Sequence, residues 1–167
     1  MRLTFAPRDY LQIDDAVITF RNFAGKGDMY NREGDRNFAL IIPDIETAQA
    51  LKDRGWNVTI KPRLDEFGNI VPDEPPFIHL KVKVKFTDFG PNIWLKSGEA
   101  MTKLNEQTVG CLDRIAIAGV DLDIRPYDWV LPSGKKGRSA YLDGIRVTQR
   151  IDDRFAPGDD SDQFPWG

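Results

Sequence analysis

The amino-acid sequence predicts an all-β fold, strand-rich with one or two short helices. Three observations carry that reading. Apolar and polar residues alternate in about seven short runs. Glycine, proline, asparagine and aspartate separate the runs. A single stretch has both a helix start and a helix stop signal.

Residues 1–9 read as a short arm. Residues 10–23 read as one long strand, bent near Asp14-Asp15, with Arg21 and Phe23 on the face opposite Ile18 and Phe20. The glycine- and charge-rich segment 25–36 is either a plain connection or a basic, aromatic-tipped finger carrying Lys26, Tyr30, Arg32 and Arg36. A strand over 37–42 ends at Pro43. Asp44 then caps a helix that stops at Gly55, with Ile45, Ala48 and Leu51 as its packing face. Residues 56–60 alternate again, and 61–76 is the longest irregular stretch within the body.

The run from Ile78 to Phe86 separates completely with a period of two. Ile78, Leu80, Val82, Val84 and Phe86 fall on one face, and His79, Lys81, Lys83 and Lys85 on the other. Side-by-side lysines repel, so such a row suits either an anionic ligand or an edge strand guarded against aggregation. A tight turn at 88–91 leads to a strand over 92–96. A hairpin is expected there, with Trp94 and Lys96 on the lysine side. Leu104, Thr108, Cys111 and Leu112 suit a short helix interrupted near Gly110. From Ile115 to Ile124 the chain alternates, with Asp121 and Asp123 on one face, and Arg125, Tyr127 and Trp129 continue that face. A turn at 132–138 presents Lys135 and Lys136, and 139–151 is the last strand. A partly open five-stranded barrel of the oligonucleotide-binding type, with extended loops and the helix inserted between strands, fits this order.

Composition narrows the function. The 167 residues suit one domain with a genuine core, over 1–151, followed by an acidic tail over 152–167. No run approaches the ~18 apolar residues of a membrane span. Cys111 and His79 are the only residues of their kinds, which excludes an internal disulfide and a protein-only Cys/His zinc cage, and suits a reducing cytoplasm. Net charge is −3, but five acids and one base of that balance lie in 152–167, leaving a body of 22 bases and 21 acids. Asp121 and Asp123 lack the third acid and the lysine of a metal nuclease, and Gly134-Lys135-Lys136-Gly137 lies between strands, where a phosphate-binding loop would open a helix. No catalytic residue, metal ligand or cofactor is therefore assigned.

Binding of single-stranded nucleic acid needs cations along the backbone path and flat rings for the bases. The candidate residues are Arg21, Lys26, Tyr30, Arg32, Arg36, His79, Lys81, Lys83, Lys85, Trp94, Lys96, Arg125, Tyr127, Trp129, Lys135 and Lys136. The tail adds Asp159, Asp160, Asp162, Phe164 and Trp166, acidic yet aromatic-tipped. It could compete with DNA for the basic face or dock on a partner protein. The contrasting reading is a protein–protein adaptor or inhibitor whose acidic tail mimics nucleic acid.

The run 31–38 (Asn-Arg-Glu-Gly-Asp-Arg-Asn-Phe), the segment 50–58 and the stretch 120–129 (Val-Asp-Leu-Asp-Ile-Arg-Pro-Tyr-Asp-Trp) resemble bacteriophage single-stranded DNA-binding proteins. Residues 137–142 followed by Ile145-Arg146-Val147 are similar too, so the resemblance spans most of 10–150. It implies an oligonucleotide-binding fold that coats single strands during phage replication or recombination in the host cytoplasm, with replication or recombination proteins as partners of the tail. Homo-oligomerisation stays open. The tail is similar to the partner-recruiting tip of bacterial single-strand binders, but closes with Trp166-Gly167 where those end in proline and phenylalanine.

Overall fold

The computed structural model describes residues 1–151; the tail over 152–167, with Asp159, Asp160, Asp162, Phe164 and Trp166, lies outside the described residues. Ten strands form one sheet: β1 (Arg2–Phe5), β2 (Leu11–Asp14), β3 (Ile18–Asn22), β4 (Arg36–Ile41), β5 (Val58–Lys61), β6 (Phe77–Val84), β7 (Asn92–Ser97), β8 (Ala100–Leu104), β9 (Ile117–Val130) and β10 (Lys136–Gln149). One α-helix, α1 (Ile45–Asp53), and two 3-10 turns, Pro7–Asp9 and Val109–Asp113, complete the described chain.

Closure depends on the bend foreseen in the first long strand. Asp15 takes a left-handed φ of 56°, and Ala16 donates its N–H to the carbonyl of Val120 at 2.8 Å. The segment therefore serves two neighbours, β2 pairing with β9 and β3 with β4. From β4 the circuit passes to β6, then through a parallel step to β10, and from β10 antiparallel to β9 and back to β2. Five strands closed in this order make the oligonucleotide-binding type of barrel that the alternation predicts. Its interior is filled from every wall, by Leu11, Phe23, Phe38, Leu80, Ile124 and Leu142 among others, each at most 2% exposed.

The helix forms for the expected reasons. The Asp44 carboxylate accepts the Thr47 N–H at 2.7 Å, and Gly55 supplies the left-handed stop at φ 89°. Ala48 and Leu51 seat it on the barrel, while Ile45 stays exposed, contrary to its expected place in the packing face.

Four local expectations are corrected. The N-terminal arm is a strand, because Leu3 and Phe5 find partners across β2 and half bury there. The region 99–114 supplies β8 and a 3-10 turn rather than an interrupted helix. The strand β7 does not fold back on β6. Both edges of β6 are already taken, one by β4 and the other by β5 and then β10, so β7 runs on along β10, parallel to it, with β8 outside. Finally, three steps along β3, from Thr19 to Asn22, match two along β4, from Ala39 to Asn37. That bulge reverses the alternation. Phe20 is thrown outward, 69% exposed, and Phe23 enters the core in its place, stacked on Phe38 at 5.2 Å.

Candidate nucleic-acid interface

The inner residues of β6, Ile78, Leu80, Val82 and Val84, are buried, which forces Lys81, Lys83 and Lys85 outward. Register then decides their company. Lys83 lies between Asn37 of β4 and Tyr141 of β10, and Tyr141 faces Arg125 of β9. One ring thus collects two cations, Lys83 Nζ at 5.8 Å and Arg125 Cζ at 5.0 Å from its centroid, with the Tyr127 ring edge-on at 5.7 Å. Among the described residues none of Lys81, Lys83, Lys85 and Arg125 enters an ion pair. Beside them runs a groove of about 390 Å³, lined by the three lysines, Arg36, Asn37 and Tyr141.

The loop between β3 and β4 forms the opposite bank. Asn31 organises it, donating its side-chain amide to the carbonyls of Lys26 at 3.0 Å and Asp35 at 2.9 Å, and accepting from the Asn37 amide at 3.0 Å. Asn22 adds a two-way clasp to Lys26, at 2.8 and 3.0 Å. This fixed frame holds Tyr30 out at its tip, 91% exposed. Lys26 and Arg32 are exposed as well, Arg32 3.9 Å from Asp35. Arg36 is mostly covered, bonded to Glu106 at 3.2 Å with its guanidinium over Phe86. Arg21 is occupied differently: it donates to the carbonyls of Leu112 and Ile115 at 2.7 and 2.8 Å, tying β3 to the second 3-10 turn.

Apart from His79, the remaining candidates are dispersed. His79 stacks on Phe77 at 4.7 Å at one end of the lysine row, and burial, then the nearby Lys61 charge, lower its pKa. Trp129 lies across Gly137, where an added Cβ would collide with the ring, and its indole N–H reaches Ser139 Oγ at 3.2 Å. Lys135 and Lys136 are exposed at the turn joining β9 to β10. Trp94 and Lys96 face outward on β7, past the second bulge at Asp143, with Lys103 Nζ 5.9 Å from the Trp94 centroid. The structure therefore gathers His79, Lys81, Lys83, Lys85, Arg36, Arg125, Tyr127, Lys26 and Tyr30, and separates Trp94, Lys96, Lys135 and Lys136 from them. Tyr141 and Asn37 were missing from the candidates. The alternation of Ala140, Tyr141 and Leu142 already places Tyr141 outside; its meeting with Lys83 needed the parallel β6–β10 step.

Asp121 is held down by the Asp15 N–H at 2.9 Å and by Arg146, which together keep its pKa low. Among the described residues no group of three or more His, Cys, Asp and Glu could hold a metal, and no helix is long and apolar enough to cross a membrane. The groove beside the lysines offers positive charge and an aromatic face.

Comparison with known proteins decides the family. The family model for a phage ssDNA-binding domain matches residues 2–157. The chain belongs to that family. The phage ssDNA-binding family is described by binding rather than by a reaction, in keeping with the absence of assigned catalytic residues. Among solved structures, the single-stranded DNA-binding protein from bacteriophage Enc34 in complex with ssDNA is 16% identical, with a TM-score of 0.51 over 90% of this chain and 92% of that one. That likeness supports the shared fold. The C-terminal truncation of the Enc34 protein is 15% identical, with a TM-score of 0.49 over 91% of this chain and 97% of that one. The single-stranded DNA-binding protein gp2.5 of bacteriophage T7 is 11% identical, with a TM-score of 0.42 over 90% and 91%. No curated protein matches the sequence.

Proposed function

We propose that this chain is a sequence-tolerant, non-catalytic binder of single-stranded DNA. The strand would run along the outer face of β6, phosphates on Lys81, Lys83 and Lys85, and bases turned toward Tyr141 and the tip of the Tyr30 loop. The observation that carries the reading is the row of three outward lysines in register with a ring already flanked by two cations. Family membership supports it, as does the fold shared with the Enc34 protein, which was solved with ssDNA. A groove that reads charge and flat faces recognises backbone and stacking surface, properties all four bases share.

The test is a fluorescence titration with oligo-dT across a salt series, beside duplex and RNA of equal length. Affinity for oligo-dT should fall linearly on a log–log plot, with a slope of about −0.7 per phosphate neutralised. Absence of binding to any single strand at low salt would remove the proposal and favour a protein–protein adaptor.

Action in phage replication or recombination follows from the same reading. The acidic tail would occupy the basic groove when no strand is present, or offer Phe164 and Trp166 to a partner protein. Deleting 152–167 should raise oligo-dT affinity several-fold at low salt and leave it unchanged near 1 M, where screening reaches only about 3 Å. An unchanged low-salt affinity would exclude competition by the tail.

A further inference from the structure

The groove does not end at Lys81. Beyond it lies a depression of about 1000 Å³, shared between Phe20, Asn22, Lys26, Tyr30, Lys61 and Lys81. Its floor is continuous with the first groove, since Asn31, Asn37 and Lys81 line both. Phe20, on its wall, belongs to a group of three rings: Phe77 stacks on His79 at 4.7 Å, and Phe20 meets Phe77 edge-on at 5.9 Å.

Phe20 is the unusual member. It takes a left-handed φ of 49°, a region that bulky residues avoid because Cβ crowds the backbone. The bulge that imposes this φ also turns the ring out of the core, leaving it 69% exposed. An aromatic kept in strained backbone and pushed into water gains nothing for the fold on its own. Such strain clusters where a ligand is held. Lys61 and Lys81, both exposed, supply cations to the same depression.

We propose that Phe20, Phe77 and His79 form a second base-stacking site, in which a nucleobase of the bound strand lies on the Phe20 face while Lys61 and Lys81 hold the flanking phosphates. The proposal rests on the single-strand reading above and lengthens its path beyond the row of three lysines. An uncharged His79 favours this arrangement, because stacking on Phe77 buries a ring nitrogen, Nδ1, that has no hydrogen-bond partner among the described residues.

The experiment compares wild type with Phe20→Asn and Phe20→Trp, titrated with oligo-dT and with an abasic phosphodiester strand of the same length. Asparagine tolerates the left-handed backbone, so the bulge survives without the ring. Phe20→Asn should lose about 5- to 150-fold on oligo-dT, the range for one base stack, and keep its affinity for the abasic strand. Its thermal midpoint should not fall, and Phe20→Trp should retain binding. Equal affinity of Phe20→Asn and wild type for oligo-dT would overturn the platform while leaving the lysine path intact. An equal loss on both strands would overturn it too, by pointing to backbone contact alone. A wild-type chain that ignores both strands would remove the platform together with the reading beneath it.

Discussion

The outer faces of β9 and β10 hold two regions of opposite character, divided by the bulge at Asp143. On one side lie Arg125, Tyr127 and Tyr141, next to Lys83 of β6. On the other lie Asp121, Asp123 and Asp143, with Asp14 of β2 beside them and Arg146 and Trp94 at their rim. Both regions alternate in and out along the same strands, so the fold does not distinguish them; charge and its satisfaction do. The basic side leaves its cations in no ion pair among the described residues, and its one central ring has two of them beside it. The acidic side spends two guanidiniums, Arg146 on Asp121 and Arg2 on Asp14, and leaves Asp123 facing other carboxylates. On the proposed path, a polyanion would be drawn to the first and repelled by the second, which would turn the strand away from β7.

The largest effect should come from emptying the basic side. Each lysine that neutralises a phosphate of a single strand contributes about 0.7 to the salt slope, hence about fivefold in affinity at 0.1 M salt relative to 1 M. Replacing Lys81, Lys83 and Lys85 together by alanine should therefore weaken oligo-dT binding about 100-fold at 0.1 M and flatten the slope by about 2. Their side chains are exposed, so the thermal midpoint should hardly move. A variant with unchanged slope would show that the strand runs elsewhere.

Rings on the two sides should differ next. Tyr141→Ala should cost about tenfold at all salt concentrations, since stacking is not screened. Trp94→Ala, across the acidic patch and about 16 Å further along β10 at the rise of a strand, should change affinity by less than about twofold. If Trp94 mattered as much as Tyr141, the acidic side would not be a barrier and the comparison would fail.

How much of this could be read from the chain depends on what kind of information each element needs. The lysine face of β6 was legible because its alternation runs unbroken through eight residues with both edges paired. The helix was legible from Asp44 and Gly55, whose roles are local. The bend at Asp15 was visible as two adjacent aspartates, residues that tolerate turns. Phe20 and Phe23 were misassigned because a bulge adds one residue and reverses every later position, and no residue type announced it. Trp94 was placed through a hairpin that does not exist: the sequence could not show that β4, β5 and β10 leave β6 no edge. The meeting of Lys83, Tyr141 and Arg125 was hidden for the same reason, since it joins strands about 60 residues apart through a parallel step.

The smallest effect tests the acidic side by its own electrostatics. Burial first, then the charges of Asp143 and Asp14, raise the pKa of Asp123. A carboxyl that binds its proton more tightly in the folded chain than in the unfolded one stabilises the fold when protonated and opposes it when charged. Stability from this group is therefore lost as pH rises through its unfolded and then its folded pKa, and at neutral pH the charge is a net cost. Asp123→Asn removes that charge at nearly constant volume. The variant should melt about 1–2 °C above wild type at pH 7, the scale of a change of about half a kcal/mol in a chain this long. As pH falls through the acid range the advantage should shrink toward zero, because wild type then carries the proton itself. Thermal melts of both proteins over a pH series decide it: a constant difference would show that packing, not charge, is responsible. A wild-type advantage at pH 7 would mean that Asp123 is needed as an anion, and that the two sides of the sheet are not opposed in the way their charges imply.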